Sequence, residues 1–312
     1  MRHFLVTGGA GFIGSHLVRA LVDRGDRARV LDNFMTGKRE NLAEVADAIE
    51  LMEDDLRNPE ACRRACEGID IVFHEGALPS VPKSVADPVA SHEANVDGTF
   101  NILMAARDAG VKRLVYAASS SAYGDAPTLP KVEDMPPCPL SPYAVNKLVG
   151  EYYCKTFYDS FGLQTLSFRY FNVFGPRQDP ASQYAAAVPA FATAILHDEP
   201  VTVHGDGEQS RDFTYIDNVI DANFLAADAD ETHGEVLNIA CGERVTINQV
   251  VAAINKALGK SVPSNHVEPR PGDVRHSLAD IEAARRVIGY EPKVRFEEGL
   301  ALAIDWYKQN LA

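Results

Sequence analysis

Short apolar runs recur through the first half of the chain, at 3–8, 27–32, 49–55, 70–76 and 112–119. Each is brief enough for a strand and ends in glycine, an acidic residue or serine, where a strand would give way to a loop. Helical patterns lie between them: FIGSHLVRALVDRG, PEACRRACEG and SHEANVDGTFNILMAARDAG, the last with Ile102, Ala105, Ala106 and Ala109 expected on one buried face. Strand and helix in alternation predict βαβ units, hence an α/β doubly wound parallel sheet covered on both sides. A long helix over 141–162 follows, then a sixth strand in QTLSFRYFNVFG (164–175) that runs into a loop.

Beyond residue 175 the pattern loosens. Loops such as GPRQDPAS, HGDGEQSRD and VPSNHVEPRPGDVRH separate short helices from the strands VTVHG and EVLNIA, which read as isolated. The expected division is a dinucleotide-binding (Rossmann) domain of residues 1–172 with about 213–240, and a smaller loop-rich substrate lobe of about 173–212 with 241–312.

The first strand runs into GGAGFIG, which holds Gly8, Gly11 and Gly14, together with Gly9. Glycines there permit a tight turn and let backbone N–H groups approach a pyrophosphate at a helix N-terminus. Asp32 closes the next strand, 21 residues after Gly11. Its carboxylate suits the adenosine ribose hydroxyls and repels a 2′-phosphate, so NAD is preferred over NADP.

A second constellation is SPYAVNK (141–147). Ser141 suits an N-cap and Pro142 the first helical position, which puts Tyr143 in the first turn and Lys147 one turn on, beneath the phenol. Helix terminus and ammonium are both expected to lower the phenol's pKa and make it a base for a sugar or alcohol hydroxyl beside a nicotinamide. Ser119 closes the fifth strand in AASSSAYG, at the sheet edge where doubly wound folds bind ligands.

Composition narrows the partners. The net charge of -14 disfavours nucleic acid and anionic membrane, which need cationic surfaces. No apolar run approaches the ~20 residues of a membrane span and no signal peptide is evident, so a cytoplasmic address is expected. Cys62, Cys66, Cys138, Cys154 and Cys241 are scattered, with no second Cys/His pair at zinc spacing; reduced core thiols and no metal are expected.

GGAGFIG, Asp32, SSSAYG and Y-x-x-x-K together resemble the extended short-chain dehydrogenase/reductase family over nearly the whole chain. YFNVFGPRQ, SRDFTYIDN and RPGDVRHSLAD make it similar to the UDP-hexose 4-epimerases within that family. The resemblance implies a catalytic trio: Tyr143 as base, Lys147 holding the nicotinamide ribose and the phenolate, and Ser119 on the reacting oxygen. For the cofactor it implies Phe12, Ile13, Asn33 and Tyr170, with Asp55 and Leu56 flanking the adenine and Ala77 and Asn95 supporting the site. For the sugar nucleotide it implies Asn172 at the phosphates, Arg211 and Arg270 clamping the diphosphate, and Asp273 near the nucleoside ribose. It further implies a homodimer formed through helices at about 92–109 and 141–162.

The implied reaction removes hydride from C4 to tightly held NAD, turns the 4-keto sugar over, and returns hydride to its other face. Relatives that dehydrate the sugar carry an acidic pair where this chain has Ser120 and Ser121, so dehydration is disfavoured. UDP-glucuronate 4-epimerisation or decarboxylation stays open, and so does a non-catalytic NAD or nucleotide-sugar sensor, against which the intact trio argues. In similar epimerases the position four residues after the RPGD aspartate gates the pocket. Here it is Ser277, small enough to admit a 2-N-acetyl group that Ser120 and Ser121 could hydrogen-bond. One departure stands out: His74-Glu75-Gly76-Ala77 replaces the usual His-x-Ala-Ala, and glycine is expected to loosen cofactor positioning slightly.

Overall fold

The computed structural model describes residues 1–179, 187–269 and 274–311. Its centre is a parallel sheet of β1 (His3–Thr7), β2 (Arg27–Asp32), β3 (Ile49–Glu53), β4 (Ile71–His74), β5 (Arg113–Ser119) and β6 (Gln164–Tyr170). Side chains alternate between two buried faces: Phe4 and Val6 join one core cluster, and Leu5 between them joins the other. Both faces are apolar because both are covered, which is why these strands read as continuous apolar runs.

The connecting helices are α1 (Phe12–Asp23), α2 (Pro59–Cys66), α3 (Val81–Ala86), α4 (Pro88–His92), α5 (Gly98–Asp108) and α6 (Pro142–Phe161). The helix expected over 91–110 is present and starts earlier, at Pro88; it runs without a break to Asp108, with one widened π-helical turn at Glu93–Asp97 between α4 and α5. Ile102, Ala105 and Ala106 are buried as expected, but Ala109 is exposed at the C-cap and Leu103 takes the remaining inward place.

After β6 come β7 (Val173–Phe174), α7 (Ala187–Leu196), β8 (Val201–His204), β9 (Ser210–Arg211), β10 (Thr214–Tyr215), α8 (Ile216–Asp228) and β11 (Glu235–Ile239). The chain closes with β12 (Val245–Thr246), α9 (Ile247–Leu258), β13 (Ser264–Val267), α10 (Glu282–Ile288) and α11 (Phe296–Asn310). EVLNI is not isolated: it is β11, which pairs in parallel with β6 and completes the order β11-β6-β5-β4-β1-β2-β3. Nor is VTVH, which is β8 and pairs with β13 inside the loop-rich stretch. An aromatic cluster of Phe174, Phe213, Tyr215 and Phe296 fills the smaller lobe against the sheet. Among the described residues no helix is long and apolar enough to cross a membrane.

The strand order reverses between β1 and β4, and the carboxyl ends there open a crevice, the place where such sheets bind ligands.

Candidate active site

Gly8 leaves β1 in the left-handed region, at φ +65°, and its backbone lies against the loop after β4. A Cβ on Gly8 would stand 2.7 Å from Gly76 Cα, and one on Gly14 would stand 2.2 Å from Gly8 O. The turn therefore closes only with glycine. Gly76 is less confined: its N–H donates to Thr7 Oγ1 at 3.1 Å, and a Cβ would lie 2.6 Å from Leu56 Cδ1. Leu56 Cδ1 is the free end of a flexible side chain, so the alanine usual in relatives would need that leucine to turn aside.

Asp32 is buried at the end of β2. Its Oδ2 accepts the Ala10 N–H and its Oδ1 the Phe34 N–H, both at 2.8 Å, which leaves further lone pairs facing the crevice. Beside it Asn33 Nδ2 donates to Asp55 Oδ2 at 2.8 Å, and the Arg57 guanidinium, foremost, holds the Asp55 carboxyl down at about 2.

The crevice encloses about 800 Å³. Gly8, Gly11, Phe12, Ile13, Gly14, Asp32, Asn33, Asp55, Leu56, Ala77 and Tyr170 line it together with Ser119, Tyr143 and Lys147. The glycine cradle and a buried acceptor-only carboxylate at the end of β2 fit a dinucleotide with an unphosphorylated ribose. Asn95 stands behind the wall: its Oδ1 accepts the Leu78 N–H at 2.8 Å and its Nδ2 donates to Leu78 O at 3.2 Å, so it holds the loop after β4.

Ser141 caps α6 as expected, its Oγ accepting the Ala144 N–H at 3.2 Å, with Pro142 in the first turn. The Tyr143 N–H donates to Ser84 Oγ of α3 at 3.0 Å, which ties the start of α6 to the wall of the crevice. Ser121 Oγ donates to Ser119 Oγ at 2.9 Å, and the Ser119 side chain is near enough to the Tyr143 hydroxyl to favour its anion. Lys147 Nζ, expected beneath the phenol, donates instead to Ala117 O at 2.7 Å and sits 4.9 Å from the centre of the Tyr116 ring.

The ionisation of Tyr143 runs opposite to expectation. Burial pushes the phenol up to about 12, Ser119 opposing and the Glu75 carboxyl adding to it. Desolvation outweighs a helix terminus because the half-buried phenolate would give up part of its hydration to the crevice wall. Burial likewise brings Lys147 down to about 8, with Glu75 foremost in opposing it.

Three of the residues expected on the sugar nucleotide, Asn172, Arg211 and Ser277, come together around β9. Asn172, at φ +34°, donates from Nδ2 to Asp212 O at 2.9 Å. Arg211 Nη1 donates to Ser210 O at 3.0 Å and to Arg275 O at 3.3 Å, while the Ser277 N–H donates to Ser210 O at 3.0 Å. Arg211 and Ser277 are thus fixed by one strand. Ser120 and Ser121 form the short turn after β5. Arg270 and Asp273 lie outside the described residues.

Several charged residues on the crevice wall were not anticipated from the sequence, among them Lys38, Arg57, Glu75, Lys83 and Arg177. No spacing in the sequence marks a residue that reaches the crevice from a loop or a short helix. Among the described residues no cluster of side chains could hold a metal ion.

Residues 4–240 match the profile of the NAD dependent epimerase/dehydratase family. A UDP-N-acetylglucosamine 4-epimerase from Methanobrevibacter ruminantium, solved with UDP-N-acetylmuramic acid, is 39% identical with a TM-score of 0.95, over 99% of this chain and 98% of that one. The UDP-glucose 4-epimerase of Thermus thermophilus, solved with NAD, is 39% identical with a TM-score of 0.90, over 99% of each chain. A UDP-glucose 4-epimerase of Mycolicibacterium smegmatis is 37% identical over 98% of both. With its glycine cradle, Asp32 and the serine, tyrosine and lysine on one crevice, the chain belongs to the NAD-dependent epimerase/dehydratase family, the extended short-chain dehydrogenase/reductases, and NAD is its cofactor.

Proposed function

We propose that the protein interconverts UDP-GlcNAc and UDP-GalNAc, and accepts UDP-glucose and UDP-galactose in the same pocket. It is an NAD-dependent epimerase of UDP-hexoses. The observation that carries the chemistry is the presence of Ser119, Tyr143 and Lys147 on the same crevice as the dinucleotide cradle.

NAD, when bound, supplies a hydride acceptor and donor that carries positive charge in its oxidised form. The chain supplies the acid–base part. Tyr143 Oη takes the proton of the C4 hydroxyl and later returns it, Ser119 holds the reacting oxygen, and Lys147 contributes an ammonium that favours the phenolate. Burial pushes the phenol up to about 12 in the ligand-free crevice, and cationic charge entering the site would favour the phenolate. Arg211 and Arg270 are proposed for the diphosphate, for which guanidinium forks are suited, with Asn172 at the phosphates and Asp273 at the nucleoside ribose.

The finer assignment rests on the small side chain of Ser277 beside Arg211 and on the likeness to a UDP-N-acetylglucosamine 4-epimerase. The test is incubation of the purified protein, without added NAD, with UDP-GlcNAc, UDP-glucose and UDP-glucuronate in turn, following C4 configuration by proton NMR. Appearance of UDP-GalNAc supports the assignment. Turnover of UDP-glucose alone removes the acetamido part of it, and turnover of UDP-glucuronate alone replaces the sugar.

We also propose a homodimer through α5 and α6. Phe100 on α5 and Val145, Tyr152 and Phe161 on α6 are exposed apolar side chains on the two helices concerned, and burial against a second copy would remove them from water.

A further inference from the structure

Glu75 stands in the loop after β4, at the strand-order reversal, and is a half-buried carboxyl on the wall of the crevice that Ser119, Tyr143, Lys147 and Tyr170 also line. Two elements fix it. Its Oε1 accepts the Tyr170 hydroxyl of β6 at 2.9 Å, and that same hydroxyl accepts Asn223 Nδ2 of α8 at 2.9 Å. A carboxyl buttressed in this way from behind keeps its charge directed into the crevice.

Lys147 is the cation there, and few groups can answer its charge. Glu151 and Cys154 face it from its own helix, but Glu151 is committed to Arg169 by bonds of 2.9 and 2.7 Å, and burial pushes the Cys154 thiol up to about 12. From β4, His74 is held between Thr7 Oγ1 at 2.7 Å and Thr99 Oγ1 at 3.0 Å, and burial brings it down to about 3, so it is neutral. From β5, Tyr116 presents its ring and the Ala117 carbonyl accepts one ammonium proton. Tyr143 and Glu75 complete the surround.

We propose that Glu75 is the counter-ion of Lys147 across the cofactor crevice, a positioning residue that acts on the reaction through that ammonium. Burial raises the Glu75 carboxyl to about 7 and lowers the Lys147 ammonium to about 8, and each opposes the other's shift. Both are therefore charged together only in a narrow interval around neutrality to slightly above it. The Glu75 charge also disfavours a phenolate at Tyr143, so one carboxyl links the ionisation of both helical residues.

The inference rests on the reading of Lys147 as part of the catalytic trio, and its test is read by spectroscopy, independently of turnover. The NAD-loaded enzyme is prepared with lysine carrying carbon-13 at the ε position, and the Lys147 resonance, assigned by its loss in Lys147→Arg, is titrated with pH. Glu75→Gln keeps the shape and an acceptor for Tyr170 but removes the charge. Its Lys147 midpoint is expected to fall by about one unit, in the range for loss of a neighbouring opposite charge. The alkaline limb of the kcat profile should move down with it. Glu75→Asp keeps the charge and should leave the midpoint near that of the unaltered enzyme. An unchanged midpoint in Glu75→Gln, or a fall in Glu75→Asp as large as that in Glu75→Gln, overturns the proposal. A fall confined to Glu75→Gln supports it even if no UDP-hexose is turned over, an outcome that would count against the epimerase reading alone.

Discussion

A tyrosine half-buried in protein loses part of the water that would stabilise its anion, and Tyr143 shows the result: its surroundings oppose what its spacing promises. The spacing in SPYAVNK was enough to place Tyr143 in the first turn and Lys147 one turn later. It could not show that Ser84, Glu75 and Tyr116 would close around them, because those contacts come from other elements. Tyr143→Phe should lower turnover by about 10² to 10⁴-fold, the usual worth of a positioned acid–base group, while the purified variant keeps its NAD. Absorbance of the released cofactor checks the second half. Gly76→Ala should cost no more than about 1 kcal/mol, the low end for overpacking, because the added methyl meets the movable end of Leu56 and not backbone. Urea unfolding of the variant and its residual NAD content measure both effects. Ser277→Tyr should abolish conversion of the acetylated sugars and spare the plain ones; equal loss of both would remove Ser277 from the gate.

Asp212 organises the segments of the smaller lobe. Its Oδ1 accepts the Cys241 N–H at 3.0 Å, and its Oδ2 accepts the Gly242 N–H at 3.0 Å and the Ala279 N–H at 3.1 Å, while its backbone carbonyl holds Asn172. One side chain therefore joins the segments carrying Asn172, Arg211 and Ser277. Asp212→Asn would turn an N–H toward one of these donors and should cost about 1–3 kcal/mol, the range for a buried polar group left unsatisfied. Sugar turnover should fall by a rise in KM, with NAD retained. None of this was legible in SRDFTYIDN, where Asp212 reads as one more acidic loop residue. The first six strands could be read because buried parallel strands are written as unbroken apolar runs. β11 has the same texture, but its partner β6 lies more than sixty residues earlier, and pattern alone does not show a pairing at that distance. The π-helical turn at Glu93–Asp97 left no trace in the periodicity either, since one wider turn shifts the apolar phase by a single residue.

At the scale of the whole molecule, light scattering at micromolar concentration should report a homodimer, and Tyr152→Glu should return it to monomer by placing a charge on the proposed contact. A monomer in the unaltered protein would refute the assignment. The interleaved sheet has another effect, on how the chain can be made. Because β11 joins β6 only after the chain has passed through α7, β8, β9, β10 and α8, a growing chain that has emerged to residue 172 presents β6 as a bare edge, with its row of N–H and C=O groups open to any neighbouring strand. Cutting the gene after residue 172 should thus give an insoluble first piece, rescued only when the remainder is made in the same cell. Synthesis from one end to the other leaves the sheet waiting for its last strand while part of the other lobe is being completed.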